Sequence, residues 1–220
     1  MTYQLPLFPL NTVLFPGMPL HLHIFESRYK LMVNQLLNQE PVFGVVLIRK
    51  GLESSGPLAE PHLIGTTARI LKIDPLSDGC LNLTVVGERR FKINALSDEN
   101  PYLSASIEDF PIDFKRPLDV YRRIRHLRNQ VQFYLHTINR LDDMVIDLDQ
   151  IQMPDDPFAL IFLAASLLQI PAHEKQPALN AVTALEICQT VERLYRRENA
   201  VLRKLIHITA EQAQSFAQLN

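Results

Sequence analysis

The sequence predicts an α+β protein in which a β-rich half precedes an all-helical half. Three observations carry that expectation. The first is the opening stretch YQLPLFPLNTVLFPGMPLHLHIFESRY, residues 3–29, which has no charge before Glu26 and is interrupted by Pro6, Pro9, Pro16 and Pro19. Proline fixes φ and donates no hydrogen bond, so four of them exclude a helix and leave extended segments at edges, bulges or turns. The second is a succession of strand patterns over residues 65–113. The third is a change of period from two to about 3.6 beyond Pro117. The shift near residues 111–118 divides the chain into a β-rich domain, residues 1–116, and a helical domain, residues 117–220.

Within the opening stretch, Pro16-Gly17 has type II turn chemistry, with proline at the second position and glycine supplying φ > 0 at the third. Leu20, Leu22 and Ile24 then alternate with His21 and His23, as in a half-buried strand. The segment is expected to form a bent hairpin. Ser27 should cap a helix reaching about Asn38, with Tyr29, Val33 and Leu36 or Leu37 facing inward. The apolar run VFGVVLI, residues 42–48, suits a strand covered on both faces, and RKGLESSGPLAEPH is a loop. Asp78-Gly79 is a hairpin turn between two strands, and Gly87 marks a bulge or bend in the second of them.

In the helical half, Val120, Ile124, Leu127, Val131, Tyr134 and Ile138 form the inner stripe of a long helix, with Arg122, Arg123, Arg125 and Arg128 largely outside it. Asp156-Pro157 opens a second helix as cap and first-turn proline. A short helix is predicted over 172–179. A last one spans about 183–206, with Leu185, Cys188, Val191, Leu194 or Tyr195, Leu202 and Leu205 inward and Arg193, Arg196 and Arg197 on a solvated face, offset by Glu192 and Glu198.

Composition narrows the function classes. A hydrophobic share of 47% with 21% charged residues describes an ordinary globular chain, and a net charge of -2 argues against a general polyanion-binding surface. Tyr121 is the one aromatic near the arginines of the long helix, so that face reads as solvated and nucleic acid is not expected as a partner. Cys80 and Cys188 make no C-x-x-C pair and read as reduced thiols in a cytoplasmic protein. The apolar run PFALIFLAASLLQIPA is shorter than the ~20 residues that cross a bilayer and is closed by proline at both ends, so no membrane segment is expected.

Catalytic signatures are not found. Gly51 and Gly56 have Walker A spacing, but Pro57-Leu58 stands where lysine and a hydroxyl residue are required. His21 and His23 share a strand face, yet a zinc site needs three or four ligands. Neither cysteine has a local partner base, and no serine sits in a G-x-S-x-G context. The expectation is a non-enzyme without cofactor or metal.

The segments LPLFPLNTVLFPG, LHLHIFESRYKLMV, FGVVLI, GTTARI, DGCLNLTVVGERRF, YLSASI, DDPFALIFLAASLL and EKQPAL, in this order, give the chain a resemblance along nearly its whole length. It resembles the N-terminal substrate-recognition domain of Lon-type ATP-dependent proteases, found also as stand-alone proteins. That resemblance implies a PUA-like β pseudo-barrel with one helix, followed by a C-terminal helical bundle. It also implies a role in engaging unfolded or apolar polypeptide segments, alone or as an adaptor to an ATP-dependent protease or ATPase, without the ATPase and Ser-Lys peptidase domains. The pseudo-barrel keeps RNA binding open as an alternative.

Arg28, Leu52 and Arg90 are the expected peptide contacts, with Leu52 in the 49–58 loop and the two arginines near the domain junction. An arginine fork suits a peptide carboxylate or backbone. The competing reading for Glu26, Arg28 and Arg90 is an internal ion-pair network that sets the first helix against the β half.

Overall fold

The computed structural model describes residues 2–37, 40–53, 59–141 and 153–217. Its order is β1 (Thr2–Leu10), β2 (Pro19–Ile24), α1 (Ser27–Leu37), β3 (Val42–Lys50), β4 (Glu60–Pro61), β5 (Ile64–Pro75), β6 (Leu81–Ser97), β7 (Ser104–Asp109), α2 (Pro117–Leu141), α3 (Pro157–Leu167), α4 (Ala172–Asn180) and α5 (Ala184–Ala217). The chain is therefore α+β, with a mostly antiparallel sheet in its first half.

The sheet is organised around β6. One edge of this strand pairs with β5 through residues 81–92. Its other edge is shared: residues 81–86 pair with β2 and residues 91–97 with β7. Strand β1 then links β7, antiparallel through Thr2–Pro6, to β3, parallel through Leu7–Leu10. The pairings thus run in a ring, β1–β7–β6–β5–β3 and back to β1. The two prolines of β1 are tolerated because the strand changes partner between them, so neither segment needs both backbone edges for ladder bonds.

The bent hairpin expected at the N-terminus does not form, because β1 and β2 take different partners. The type II turn itself is present: Gly17 has φ 78° and the Met18 N–H donates to the Phe15 carbonyl at 3.1 Å. What holds the turn is β6. The Gly17 N–H donates to the Gly87 carbonyl at 2.8 Å, and the Gly87 N–H donates to the Met18 carbonyl at 2.9 Å. A Cβ on Gly87 would lie 2.4 Å from the Phe15 carbonyl oxygen, so only glycine permits this approach. Beside it β6 is bulged: Thr66 faces Arg90 while Ala68 faces Gly87, which leaves one extra residue on β6.

Three groups of buried side chains form the core. Tyr29, Met32, Val33 and Leu36 of α1 pack on Phe8, Leu22, Ile24, Phe43, Leu83 and Val85 of the sheet. Leu5, Leu7, Val46, Phe91, Ile93 and Ile107 fill a second. The third lies among α2, α3, α4 and α5, where the stripe predicted for α2 is buried from Val120 to Tyr134, with Ile138 at its margin. Asp156 caps α3 by accepting from the Ala159 N–H at 2.7 Å. Helix α5 continues past residue 206 to Ala217, and Leu205, expected inside, is 47% exposed. Leu202 is the last residue of α5 that packs against the core among the described residues.

The halves are joined by shared contacts. Phe15, from the turn between β1 and β2, enters the helical core and stacks on Phe162 with ring centroids 5.9 Å apart. Asp113 exchanges backbone hydrogen bonds with Val182 and Ala184 at 3.0 Å each. Arg90 is 4% exposed. Its Nη1 donates to the carbonyls of Leu179 and Ala181 at 2.8 and 2.6 Å, and its Nη2 to that of Pro111 at 3.2 Å. This corrects the expected network with Glu26 and Arg28: Arg90 meets backbone carbonyls across the junction, while Glu26 and Arg28 pair with each other at 2.8 Å. Burial lowers the Arg90 guanidinium to about 10, which leaves it charged at neutral pH.

Two substitutions test this account by urea denaturation. Gly87→Ala should cost about 1–3 kcal/mol, because a methyl group must displace a backbone carbonyl; an unchanged midpoint would show that the turn can move away freely. Arg90→Met should cost about 3 kcal/mol, because it strips donors from buried carbonyls. Arg90→Lys should recover only part, and full recovery would contradict the three-carbonyl geometry.

Candidate functional site

Beside β2 lies a cleft of about 480 Å³. Its floor is apolar: Phe8 and Leu10 of β1, Leu22 and Ile24 of β2 and Tyr29 of α1, all buried. Phe8 and Tyr29 stack with centroids 4.0 Å apart and planes inclined by 22°. The rim carries His21, His23, Phe25, Glu26 and Glu53. Alternation explains the division, since Leu22 and Ile24 turn toward the core while His21, His23 and Phe25 fall on the opposite parity.

Residues from both faces of β2 line the cleft, so it opens on the strand's backbone edge as well as on side chains. Among the described residues β2 pairs only with β6. Its second edge therefore has no ladder partner among the described residues.

The polar rim is anchored. Glu53 Oε2 accepts from the backbone N–H of Asn11 at 3.0 Å and from its Nδ2 at 2.7 Å. Glu26 is paired with Arg28, whose guanidinium lies 4.7 Å from the Tyr29 ring centroid. Burial raises the Tyr29 hydroxyl to about 12; Arg28 opposes that rise and Glu26 and Glu53 add to it. Tyr29 is thus a neutral packing group at any ordinary pH. His23 Nδ1 lies 2.8 Å from Asn82 Oδ1 and His21 Nδ1 3.3 Å from Thr84 Oγ1, so both rings engage the neighbouring strand.

The sequence-predicted contacts are distributed unevenly. Arg28 borders the cleft through its pair with Glu26. Leu52 precedes the rim residue Glu53 and is 66% exposed. Arg90 lies away from the cleft, buried at the junction. Residues 54–58, which complete the loop and its Walker-like spacing, lie outside the described residues. Phe25, 51% exposed, is a rim residue that was not anticipated. The signal for it was present, since an aromatic at the outward parity of a half-buried strand has no core to enter.

Both cysteine thiols are held above their ordinary range. The Cys188 thiol is buried and raised to about 12 by that burial, with Glu192 adding to the rise. The Cys80 thiol is raised by burial and by Asp78. Neither favours the nucleophilic thiolate. No group of three or more His, Cys, Asp or Glu suited to a metal occurs among the described residues.

Comparison with known proteins gives one consistent relation. The family model of the ATP-dependent protease La (LON) substrate-binding domain matches residues 4–194. The chain is 28% identical over 203 residues to the Lon protease of Anaeromyxobacter dehalogenans, an alignment covering 90% of this chain and 24% of that protein. It thus spans about a quarter of the length of that relative. Among solved structures, a Lon N-terminal domain protein from Xanthomonas campestris is similar with TM-score 0.58 and 26% identity, over 87% of this chain and 96% of the other. The N-terminal domain of the Mycobacterium avium complex Lon protease shares the fold, with TM-score 0.64 and 18% identity over 88% of this chain and 98% of the other. The match along residues 4–194, most of its length, shows that this chain belongs to the LON substrate-binding domain family.

Proposed function

We propose that the chain is a non-catalytic recognition module that takes up extended, apolar segments of unfolded polypeptides in the cleft beside β2. The observation that carries this reading is the match of residues 4–194 to a substrate-binding domain. The geometry supports it physically. An extended segment laid along the open edge of β2 would add a strand, gaining main-chain hydrogen bonds independent of its sequence. Alternate side chains would then rest on Phe8, Leu10 and Tyr29. Arg28 and Leu52 stand at the margin as contacts, while Arg90 supports the site from the junction.

The ring of strand pairings suits a PUA-like pseudo-barrel, and the packing of α2 on α5 suits a helical bundle, with the division near residue 116. The buried contacts around Arg90 and Phe15 favour the two parts acting as one body. The family relation makes an ATP-dependent protease the natural recipient of a captured polypeptide. Two unpaired cysteines suit a reducing compartment such as the cytoplasm.

Fluorescence anisotropy with labelled apolar peptides and a reduced, unfolded protein tests the reading. Binding should weaken about fivefold in Phe25→Ala, which removes roughly 1 kcal/mol of aromatic contact at the rim. Leu52→Asp should weaken it further. Methylation of alternate peptide amides should abolish it if a strand is added. Failure of every unfolded polypeptide to bind would overturn the reading.

A further inference from the structure

Helices α2 and α5 pack against each other through Leu127, Val131, Tyr134, Val191 and Tyr195, and this packing brings together two arginine-bearing surfaces that are far apart in sequence. Between them lies a groove of about 410 Å³. Arg116, Arg122 and Arg123 line it from the α2 side and Arg196 from α5, over Leu185 and Gln189. Arg193 lines the adjoining hollow with Arg123 and Arg196.

The carboxylates nearby offset two of these arginines and leave the others without a counter-charge. Glu192, 2% exposed, accepts from Arg123 Nη1 at 2.6 Å, which fixes both groups at the base of the groove. Arg116 Nε pairs with Asp119 at 2.7 Å. Glu186 accepts from the N–H groups of Val182 and Thr183 at 3.1 Å each, capping α5. Glu198 pairs with Arg197. Arg122, Arg193 and Arg196 consequently make no ion pair or hydrogen bond among the described residues. Five arginines face three carboxylates in a chain whose formal net charge is -2, so positive charge is concentrated on this surface.

We propose that this groove is a docking site for an acidic segment of a partner polypeptide, with its carboxylates seated on Arg122, Arg193 and Arg196. The guanidinium fork takes a carboxylate through two parallel hydrogen bonds, and a groove of about 410 Å³ offers volume for side chains. A polypeptide fits better than a nucleic acid for two reasons. The arginines are interspersed with Asp119, Glu186 and Glu192, which an unbroken line of phosphates would meet but spaced carboxylates can avoid. No Phe, Tyr or Trp lines the groove or the adjoining hollow to stack bases. The groove shares no lining residue with the apolar cleft beside β2, so acidic and apolar segments would bind independently.

The test is anisotropy with the whole chain and three labelled probes: a short Glu- and Asp-rich peptide, its Gln and Asn counterpart, and a single-stranded DNA oligonucleotide. The acidic peptide should bind, and added salt should weaken it. The double variant R122E/R196E, at exposed positions, should weaken it about tenfold or more, with R122Q/R196Q intermediate. Circular dichroism checks that both variants fold, and binding of an apolar peptide should be unchanged in both. The proposal is overturned if the acidic peptide binds no better than its neutral counterpart, if folded R122E/R196E and R122Q/R196Q bind it like the parent chain, or if the oligonucleotide binds more tightly.

Discussion

The closest backbone approach described above, the turn at Pro16-Gly17 against Gly87, sets the relation between all the other parts. Strand β6 is 17 residues long, and its second edge passes from β2 to β7 around this point. Two reciprocal backbone hydrogen bonds hold the turn there, and the lack of a side chain on Gly87 leaves room for the Phe15 carbonyl. On one side of the contact the chain continues as β2, whose second edge, unpaired among the described residues, borders the cleft. On the other, Phe15 is sent into the helical core. Three residues along β6, after the bulge, Arg90 reaches the end of α4. A single tight approach thus couples the strand edge, the shared core and the junction.

Much of this order was legible because it is local. Proline placement excluded a helix over the first residues, period two assigned the faces of β2, and period 3.6 assigned the stripe of α2. The Asp156 cap and the Pro16-Gly17 turn each depend on neighbouring residues only. The hairpin expectation went wrong at the point where locality ends. Turn chemistry specifies a reversal of direction, but whether the two flanking strands pair with each other depends on which other edges are open. At the site, the sequence singled out Leu52 from its loop and Arg28 and Arg90 from a place near the domain junction, yet the cleft needs Phe8, Ile24, Tyr29 and Glu53 to converge. No spacing rule reports that convergence.

Edge recognition suits a module that handles many polypeptides. Main-chain hydrogen bonds are available to every extended segment, whereas the apolar floor selects against chains that keep such residues buried. Folded proteins hide both their strand edges and their large apolar side chains, so under the proposed function this combination would discriminate unfolded from folded polypeptides without reading a sequence. Anchoring Glu53 on Asn11 and pairing Glu26 with Arg28 keeps the rim polar without placing a free charge on the apolar floor.

Arg90 shows how an arginine that looks functional in sequence can be structural. Helix α4 has no basic residue in its last turn, and Ala181 follows it in an extended conformation, so the usual glycine C-cap is missing. The orphan carbonyls of Leu179 and Ala181 receive their donors from β6, 91 residues away at the farther one. A cation at a helix C-terminus also opposes the negative end of the helix dipole, which helps to retain the charge despite burial and without a carboxylate partner. Arg123 keeps its charge differently, through an ion pair with Glu192. Where the counter-groups are carbonyls, as at Arg90, both Nη atoms are committed to the junction. Where carboxylates neutralise two arginines of five, as between α2 and α5, the remaining ones retain an unspent positive field, and that difference separates a junction from a docking surface.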